Sequence, residues 1–347
     1  MLLSMASAAS ASKLVGLAST KPAVGQTVPM QTTLTDIPGA IGMPFAGVDE
    51  GLAWHYGDPF AEQRLLESGH GTVDLSNRGV IRIEGEERLA FLNSLTTQAM
   101  DRMQPGSSVL TLDLSMNGFV LHELHVVDDA TACWVTCEPT STDALLTYFT
   151  RMRFRMELTI ENVTDEWAVL FQPIAQPHPD FLTWVTPDVS RWAAREILVP
   201  RSAAASLVSA APVGVWAYNA YRVAAGIPRQ GFETDHHTIP HELGWIGSAV
   251  HLNKGCYRGQ ETVSKVARMG KPPRRLTLLH FDGSQDDMPA VATEVLLGET
   301  VVGFVGTAVQ HHELGPIALA VLKRNTDPAA TLSVAGMNAQ QEIVVEV

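Results

Sequence analysis

The spacing of apolar and polar positions predicts short strands and short helices mixed along the first half of the chain. Over 79–85, side chains alternate between two faces, with Ile81 and Ile83 on one of them, as in a β-strand. The same reasoning predicts strands at 108–115, 119–127 and 133–137, and helices at 60–68, 86–98 and 143–152. This order is typical of a mixed α+β fold with antiparallel pairing, and it differs from a run of βαβ units.

A second block follows with a different arrangement. Strands are predicted at 158–163 and 168–172, followed by a polar, proline-rich loop at 173–187. A helix is predicted over 212–225, because Pro212 stands at its start and Gly226 and Pro228 at its end.

Beyond Pro272 the pattern changes to short alternating strands with glycine turns. Strands are predicted at 276–281, 294–297, 300–309 and 317–322, with a hairpin turn at Gly298-Glu299. Closure into a barrel hides the edges of such a sheet, so we expect a small C-terminal β-barrel. The predicted organisation is a disordered tail at 1–48, two parts at 49–157 and 158–271, and the barrel at 272–347.

Composition narrows the class of protein. The chain has 347 residues, 46% hydrophobic and 18% charged, and it lacks an apolar run long enough for a membrane span. Its formal net charge of -13 argues against a general nucleic-acid surface. Its 3 cysteines do not indicate a disulfide scaffold, and the first 35 residues match neither a secretory signal nor an arginine-rich transit peptide. We therefore expect a cytoplasmic protein.

Two groups of ligand-type residues are expected to be structural. Cys133 and Cys137 share one strand face, which is typical of core packing. The segment 235–242 contains three histidines, but Pro240 interrupts the helix that would bring His237 and His241 together. We expect a polar loop there and no metal-binding residues.

The most informative stretch is Lys254-Gly255-Cys256-Tyr257-Arg258-Gly259-Gln260-Glu261. A helix is predicted from about Gln260 to Gly270. Cys256 would then precede a helix N-terminus and lie between Lys254 and Arg258, which favours the thiolate over the thiol. We expect a functional thiol.

Charge clusters in the same region. Between Lys254 and Arg275 there are seven basic residues and one acid, a local surplus of +6 in an acidic chain. Such a surface would attract an anionic partner, for which a carboxylate-bearing cofactor tail, a phosphate or RNA all qualify.

The octet closely resembles the Lys-Gly-Cys-Tyr-x-Gly-Gln-Glu signature of YgfZ-type folate-binding proteins, whose eukaryotic relatives act in mitochondrial iron–sulfur assembly. Residues 73–79 and 83–96 resemble the opening of the glycine-cleavage T-protein superfamily, and 221–228 resembles the helix end that precedes the signature. The resemblance covers nearly everything after about residue 50.

The resemblance implies a ring-like, three-part aminomethyltransferase (T-protein) fold around a central folate channel, with antiparallel sheets and a small C-terminal β-barrel. The cofactor would be tetrahydrofolate or its polyglutamylated form. Cys256 would be the functional thiol, and Gln260 and Glu261 would orient the loop or contact the pterin. The residues implied to line the channel or bind the polyglutamate tail are Lys254, Tyr257, Arg258 and Arg222.

Two departures from the transferases shape the functional hypothesis. Where aminomethyltransferases have an Asp pair, this chain has His122 and Glu123, and 194–199 replaces their Tyr-Thr-Gly-Glu loop. One-carbon transfer from a lipoyl arm is therefore not the first expectation. We expect first a monomeric accessory factor that binds folate. It would serve iron–sulfur client proteins, RNA-modifying enzymes among them, and would not itself bind nucleic acid or membrane.

Two alternatives stay open. One is a folate-dependent aminomethyltransferase or demethylase, so the sequence leaves undecided whether the protein is an enzyme. The other is an RNA-binding module that uses the basic stretch.

Overall fold

The computed structural model describes residues 37–346 of the chain, so the part of the predicted tail before residue 37 lies outside the described residues. The strands are β1 (Ile41–Gly42), β2 (Ala53–His55), β3 (Thr72–Asp74), β4 (Gly79–Glu84), β5 (Ser108–Leu114), β6 (Val120–Asp128), β7 (Ala132–Cys137), β8 (Thr159–Asn162), β9 (Trp167–Gln172), β10 (Leu182–Val185), β11 (Arg195–Pro200), β12 (Pro212–Val213), β13 (Arg274–Phe281), β14 (Glu294–Leu297), β15 (Thr300–His311), β16 (Gly315–Lys323), β17 (Leu332–Val334) and β18 (Met337–Ile343). The helices are α1 (Pro59–Glu67), α2 (Arg88–Leu95), α3 (Thr142–Met152), α4 (Arg201–Ser209), α5 (Val215–Ala224) and α6 (Gln260–Met269), with short 3₁₀ helices at Pro139–Ser141 and Pro240–Leu243. None of the helices in residues 37–346 combines the length and apolar character that crossing a bilayer requires.

The first sheet has five antiparallel strands in the order β5-β6-β7-β4-β8. As the alternation in β4 predicts, its two faces enter different cores. Ile81 and Ile83 pack with residues of α2 and α3, and Val80 packs on the other side against the second sheet. Cys133 and Cys137 are buried in the first of these cores, which confirms their predicted structural place.

The second sheet has the order β10-β11-β9-β3-β12 and corrects three predictions from the sequence. The predicted loop at 173–187 contains β10, a short, partly buried strand that pairs with β11. Strand β11 was also not predicted. The predicted helix at 212–225 begins at Val215, because Pro212–Val213 pairs in parallel with β3. The local sequence did not indicate β12, because this short strand depends on pairing with a segment that is distant in sequence.

The predicted C-terminal barrel is confirmed. It closes in the order β13-β16-β15-β14-β17-β18, and the hairpin at Gly298-Glu299 joins β14 to β15. The prediction lacked β17 and β18, whose strands alternate weakly and close the barrel by pairing with β14 and β13.

A buried ion-pair network joins the sheets to the barrel. The Arg229 guanidinium lies 2.7 Å from Asp49 and 2.8 Å from Glu138, and all three side chains are buried. Burial alone would raise the pKa of Asp49, but the hydrogen bonds and charge of Arg229 outweigh it and lower that pKa to about 2. Nearby, Arg222 lies 3.2 Å from Glu233, whose other oxygen accepts a 2.7 Å hydrogen bond from the Thr307 amide in the barrel.

The start of α6 is pressed against the turn between β5 and β6. Gly259 has a φ of +82°, and a Cβ there would lie 2.6 Å from the Ser115 carbonyl oxygen and 2.8 Å from the Gly118 Cα. A side chain at this position would therefore meet both an unfavourable backbone conformation and a backbone clash.

We expect Gly259→Ala to lower the free energy of unfolding by about 2–4 kcal/mol, because strain and overpacking add at this position. The matched control is Gly255→Ala in the same loop, where a Cβ meets nothing within 4 Å. It should change stability by less than about 0.5 kcal/mol. Urea unfolding followed by circular dichroism measures both, and equal effects of the two substitutions would contradict the proposed close approach.

Candidate functional site

The loop before α6 directs its large side chains inward and leaves its thiol outside. Cys256 is exposed. The Lys254 ammonium donates to the carbonyl oxygens of Asn93, Thr96 (2.7 Å) and Gln98 (2.8 Å) at the end of α2. Burial lowers the pKa of Lys254 to about 8. Lys254 thus attaches the loop to the first part of the chain.

Tyr257 and Arg258 also fix this loop. Tyr257 is buried, its hydroxyl has no hydrogen-bond partner within residues 37–346, and burial raises its pKa to about 12. Arg258 lies 2.6 Å from Asp113, also donates to the Leu114 carbonyl, and stacks over the Tyr148 ring at 4.6 Å. Both side chains therefore hold the loop against the first sheet.

The last two residues of the octet begin α6. Gln260 Nε2 lies 3.4 Å from the Lys254 carbonyl oxygen, a long hydrogen bond within the loop, and Glu261 is exposed.

Most of the basic stretch is neutralised or used inside the protein. Arg258 is paired with Asp113, Arg274 is paired with Asp235 (2.6 Å) and Glu242 (2.8 Å), and Lys254 and Arg275 donate to backbone carbonyls. The cations left exposed are Lys265, Arg268 and Lys271. The surface is therefore much less basic than the local surplus of charge suggests, which weakens the RNA-binding alternative.

A cavity of about 450 Å³ opens between the two sheets, α5 and the end of the chain. Its walls contain the aromatic side chains Trp184, Trp192, Tyr218 and Trp245. Of the seven residues predicted to form the site, Arg222 is in the cavity wall. The predicted residues outside the lining are Lys254, Cys256, Tyr257, Arg258, Gln260 and Glu261.

Arg222 supports the wall and does not offer a free charge. Its side chain is buried, and its guanidinium donates to Asn219, the Ile227 carbonyl, Glu233 and Thr307. A guanidinium with these partners is already satisfied, so its contribution to binding an anionic tail would be indirect.

A histidine between two glutamates forms the polar part of the cavity. His125 Nδ1 lies 2.7 Å from Glu196 Oε2, and His125 Nε2 lies 4.0 Å from Glu123 Oε1. The imidazole ring stacks on Trp184 with 3.7 Å between ring centroids and 5° between planes. All four residues line the cavity.

The two glutamates differ in acidity. Burial raises the pKa of Glu123 above its ordinary value. Burial acts in the same direction on Glu196, but the charge and hydrogen bond of His125 outweigh it and leave the pKa of Glu196 lowered. Carboxyl groups whose pKa values are moved apart are typical of acid–base sites.

Sequence reasoning missed most of these residues. As strand alternation predicts, Glu123 lines the cavity, whereas His122 does not and is half-buried near Arg258. Desolvation and, to a smaller extent, the charge of Arg258 lower the pKa of His122 to about 4. Glu123 and His125 stand two residues apart on one face of β6, and this polar pair in an apolar strand was the available signal. Glu196 lies in the stretch that replaces the transferases' Tyr-Thr-Gly-Glu loop, so a carboxylate is present without the tetrapeptide.

One cluster within residues 37–346 has the composition of a metal site. Glu67, His311 and His312 bring their donor atoms within 4.8 Å of one another. His311 Nδ1, however, accepts hydrogen bonds from the backbone amides of Glu313 and Leu314, which leaves the ring proton on Nε2, the atom that faces Glu67. A ring in this tautomer cannot ligate a cation through Nε2, and the cluster is better described as a hydrogen-bonded contact between α1 and the barrel.

Comparison with known proteins gives consistent results at the level of fold and superfamily. Residues 43–172 match the GCVT N-terminal domain family. The aminomethyltransferase of Deinococcus deserti is 22% identical over 333 residues, covering 85% of this chain and 88% of the relative. The tRNA-modifying protein YgfZ of Colwellia psychrerythraea is 23% identical over 253 residues, covering 65% of this chain and 76% of the relative.

The glycine cleavage system aminomethyltransferase T from Bartonella henselae superposes with a TM-score of 0.74 over 89% of this chain and 94% of its own, at 17% identity. The expected α+β aminomethyltransferase fold with a closed C-terminal barrel is thereby confirmed. Identity to YgfZ is as low as identity to the transferases, so the comparisons do not separate the two types. This chain thus matches the GCVT N-terminal domain family over residues 43–172 and has the fold of the glycine cleavage aminomethyltransferase.

Proposed function

We propose that this protein is a tetrahydrofolate-binding accessory factor for the assembly or repair of iron–sulfur proteins. Reduced folate would occupy the cavity, and Cys256 would be the functional thiol. The observation that supports the proposal most is the cavity itself, in which the Glu123 carboxyl group and planar aromatic rings line the same space. The similarity to both aminomethyltransferases and a tRNA-modifying YgfZ protein is consistent with this role.

The cavity residues fit a reduced pterin. A volume of about 450 Å³ lies within the range of small-molecule sites. The Glu123 carboxyl group lies 4.0 Å from His125 Nε2 and accepts a hydrogen bond from the Gln230 backbone, which leaves it further capacity to accept. The Trp184 indole N–H is buried without a partner among the described residues. A pterin has several N–H donors along one edge, and a carboxyl group can accept hydrogen bonds from them. Its flat faces can contact aromatic rings.

A free cation is available for the acidic tail of folate. Arg191 lines the cavity and is exposed, and it forms no ion pair within the part of the chain that the structure describes. A guanidinium binds carboxylates with charge-assisted, often bidentate hydrogen bonds. We therefore assign the glutamate tail to Arg191, which the sequence did not indicate, rather than to Arg222.

The thiol is a separate feature of the molecule. Cys256 is exposed outside the cavity lining, where a partner protein could reach it. Burial raises the pKa of Cys133 and raises that of Cys137 to about 11, so both are poor nucleophiles. Cys256 could carry sulfur, reduce a damaged centre or ligate a cluster transiently, and its exposure is compatible with each.

Folate binding is tested by thermal denaturation with mono- and triglutamylated tetrahydrofolate. A ligand at about 100 times its Kd raises the free energy of unfolding by about 2.7 kcal/mol. We expect Arg191→Ala to weaken binding of the triglutamate about 5- to 10-fold, since it removes one charge-assisted contact. The control is Arg268→Ala, another exposed arginine outside the cavity, which should bind as the wild type does. If neither folate stabilises the wild type, the folate proposal is wrong.

The role of the thiol is tested in cells that lack the endogenous protein. Cys256→Ala should keep the fold and the folate-induced stabilisation, because the side chain is exposed and outside the cavity, but iron–sulfur enzyme activities should not recover. Asn253→Ala, an exposed position in the same loop, serves as the control and should restore those activities. Full recovery with Cys256→Ala would rule out a functional thiol.

A second candidate is a folate-dependent aminomethyltransferase or demethylase, and the position of Glu123 favours it. A carboxyl group with a raised pKa in the cavity can supply the acid that one-carbon chemistry at a folate nitrogen needs. Because the Tyr-Thr-Gly-Glu loop is replaced, we still expect no turnover of methylamine donors under conditions in which tetrahydrofolate binds. Turnover that disappears in Glu123→Gln would establish the second candidate instead.

A further inference from the structure

The hydrogen bond between Glu196 and His125 fixes the state of the imidazole. A carboxylate only accepts hydrogen bonds, so the 2.7 Å contact between Glu196 Oε2 and His125 Nδ1 requires the proton on Nδ1. Burial raises the pKa of Glu196, but the charged imidazolium and its hydrogen bond, with Arg78 and Thr136, outweigh burial, so Glu196 favours the protonated ring. In the neutral ring, Nε2 then has a lone pair and can accept a proton.

Rigid elements position this pair of residues. His125 stands on β6 of the first sheet, and Glu196 and Trp184 stand on β11 and β10 of the second. The Trp184 ring lies parallel to the imidazole at 3.7 Å, which restricts rotation of the ring about its side-chain bonds. The pair therefore spans the junction of the two sheets and depends on both for its geometry.

The free nitrogen of the ring is directed to the cavity. His125 lines the cavity, and its Nε2 has no hydrogen bond within residues 37–346; Glu123 Oε1, at 4.0 Å, is the acidic atom nearest to it. Arg78, just before β4, also acts electrostatically on both glutamates, and it is itself paired with Glu138. A carboxylate on Nδ1 and an accessible Nε2 is the arrangement by which a histidine acts as a general base.

We propose that Glu196 and His125 form a proton-exchanging dyad that acts on the ligand of this cavity, with Glu123 as the neighbouring acid. The inference rests on the proposed function for the identity of the ligand, a reduced heterocycle with an ionisable N–H. In the step, the N–H bond of the ligand breaks and an Nε2–H bond forms on His125. The electron pair stays on the ligand nitrogen, and Glu196 stabilises the imidazolium. Glu196 is a positioning residue, and His125 is the residue that would touch the ligand.

The tautomer is tested first, on the protein without ligand. Imidazole ¹⁵N NMR of the wild type at pH 7.5 should show His125, assigned by its loss in His125→Gln, as the Nδ1–H form. Glu196→Gln should move the His125 signals toward the Nε2–H form that dominates in free histidine. The matched control is His280→Gln, because His280 forms a similar contact with Glu342, 3.0 Å away on the barrel, outside the cavity. An Nε2–H tautomer of His125 in the wild type would overturn the dyad.

Proton transfer is tested by ¹⁵N NMR of the imidazole rings before and after saturation with tetrahydrofolate. In wild type and in His280→Gln, binding should convert His125 Nε2 from a lone-pair nitrogen to an N–H, because the proton that leaves the ligand stays in the complex on this ring. In Glu196→Gln the converted fraction should fall at least about 3-fold, while binding, followed by thermal denaturation, persists. Binding without protonation of Nε2, or with the same protonation in Glu196→Gln, overturns the dyad and leaves the folate site intact. A lack of binding in the wild type instead refutes the proposed function.

Discussion

The fold depends on arginines that are buried among carboxylates where the sheets and the barrel meet. Arg229 contacts Asp49 from the beginning of the described chain and Glu138 from the end of β7, and Arg222 reaches the barrel through Glu233 and Thr307. Each ion has lost its hydration, so loss of one partner from such a pair costs about 3–5 kcal/mol. The network also borders the cavity, because Arg222, Arg229 and Glu138 are part of its lining.

The sequence predicted the elements whose signals are local. The two faces of β4, the helix from Gln260 to its glycine end and the Gly298-Glu299 hairpin all follow from side-chain period or turn chemistry, and the structure contains them. Strand β12 was missed because it forms by pairing with β3, which is distant in sequence, and β10 was missed because its four residues lie within a polar, proline-rich stretch. The same limit applied to the cavity, whose walls combine β6, β10, β11 and α5.

The predicted site and the observed cavity are separate parts of the molecule. The octet around Cys256 was conspicuous because its residues are contiguous, yet Lys254, Tyr257 and Arg258 mainly fix the loop against the first sheet. The residues around the cavity are scattered through the sequence, so only their shared strand faces could have indicated them. The contiguous motif thus indicated local structure and an exposed thiol, whereas the cavity is formed by segments that only the folded topology brings together.

The chemistry of the cavity depends on the positions of its carboxyl groups rather than on the sequence motif that supplies them. Replacement of the Tyr-Thr-Gly-Glu loop suggests loss of a carboxylate, but Glu196 provides one from β11. Because that carboxylate is hydrogen-bonded to His125, it cannot be counted as a free ligand for a pterin edge, and Glu123 is the carboxyl group with unused hydrogen-bonding capacity. A carboxyl group with unused hydrogen-bonding capacity beside a carboxylate-bound imidazole can bind an N–H donor, and the imidazole can exchange a proton with it. A purely structural folate site would need only the first of these properties, so the arrangement favours a cavity in which the protonation state of the ligand matters.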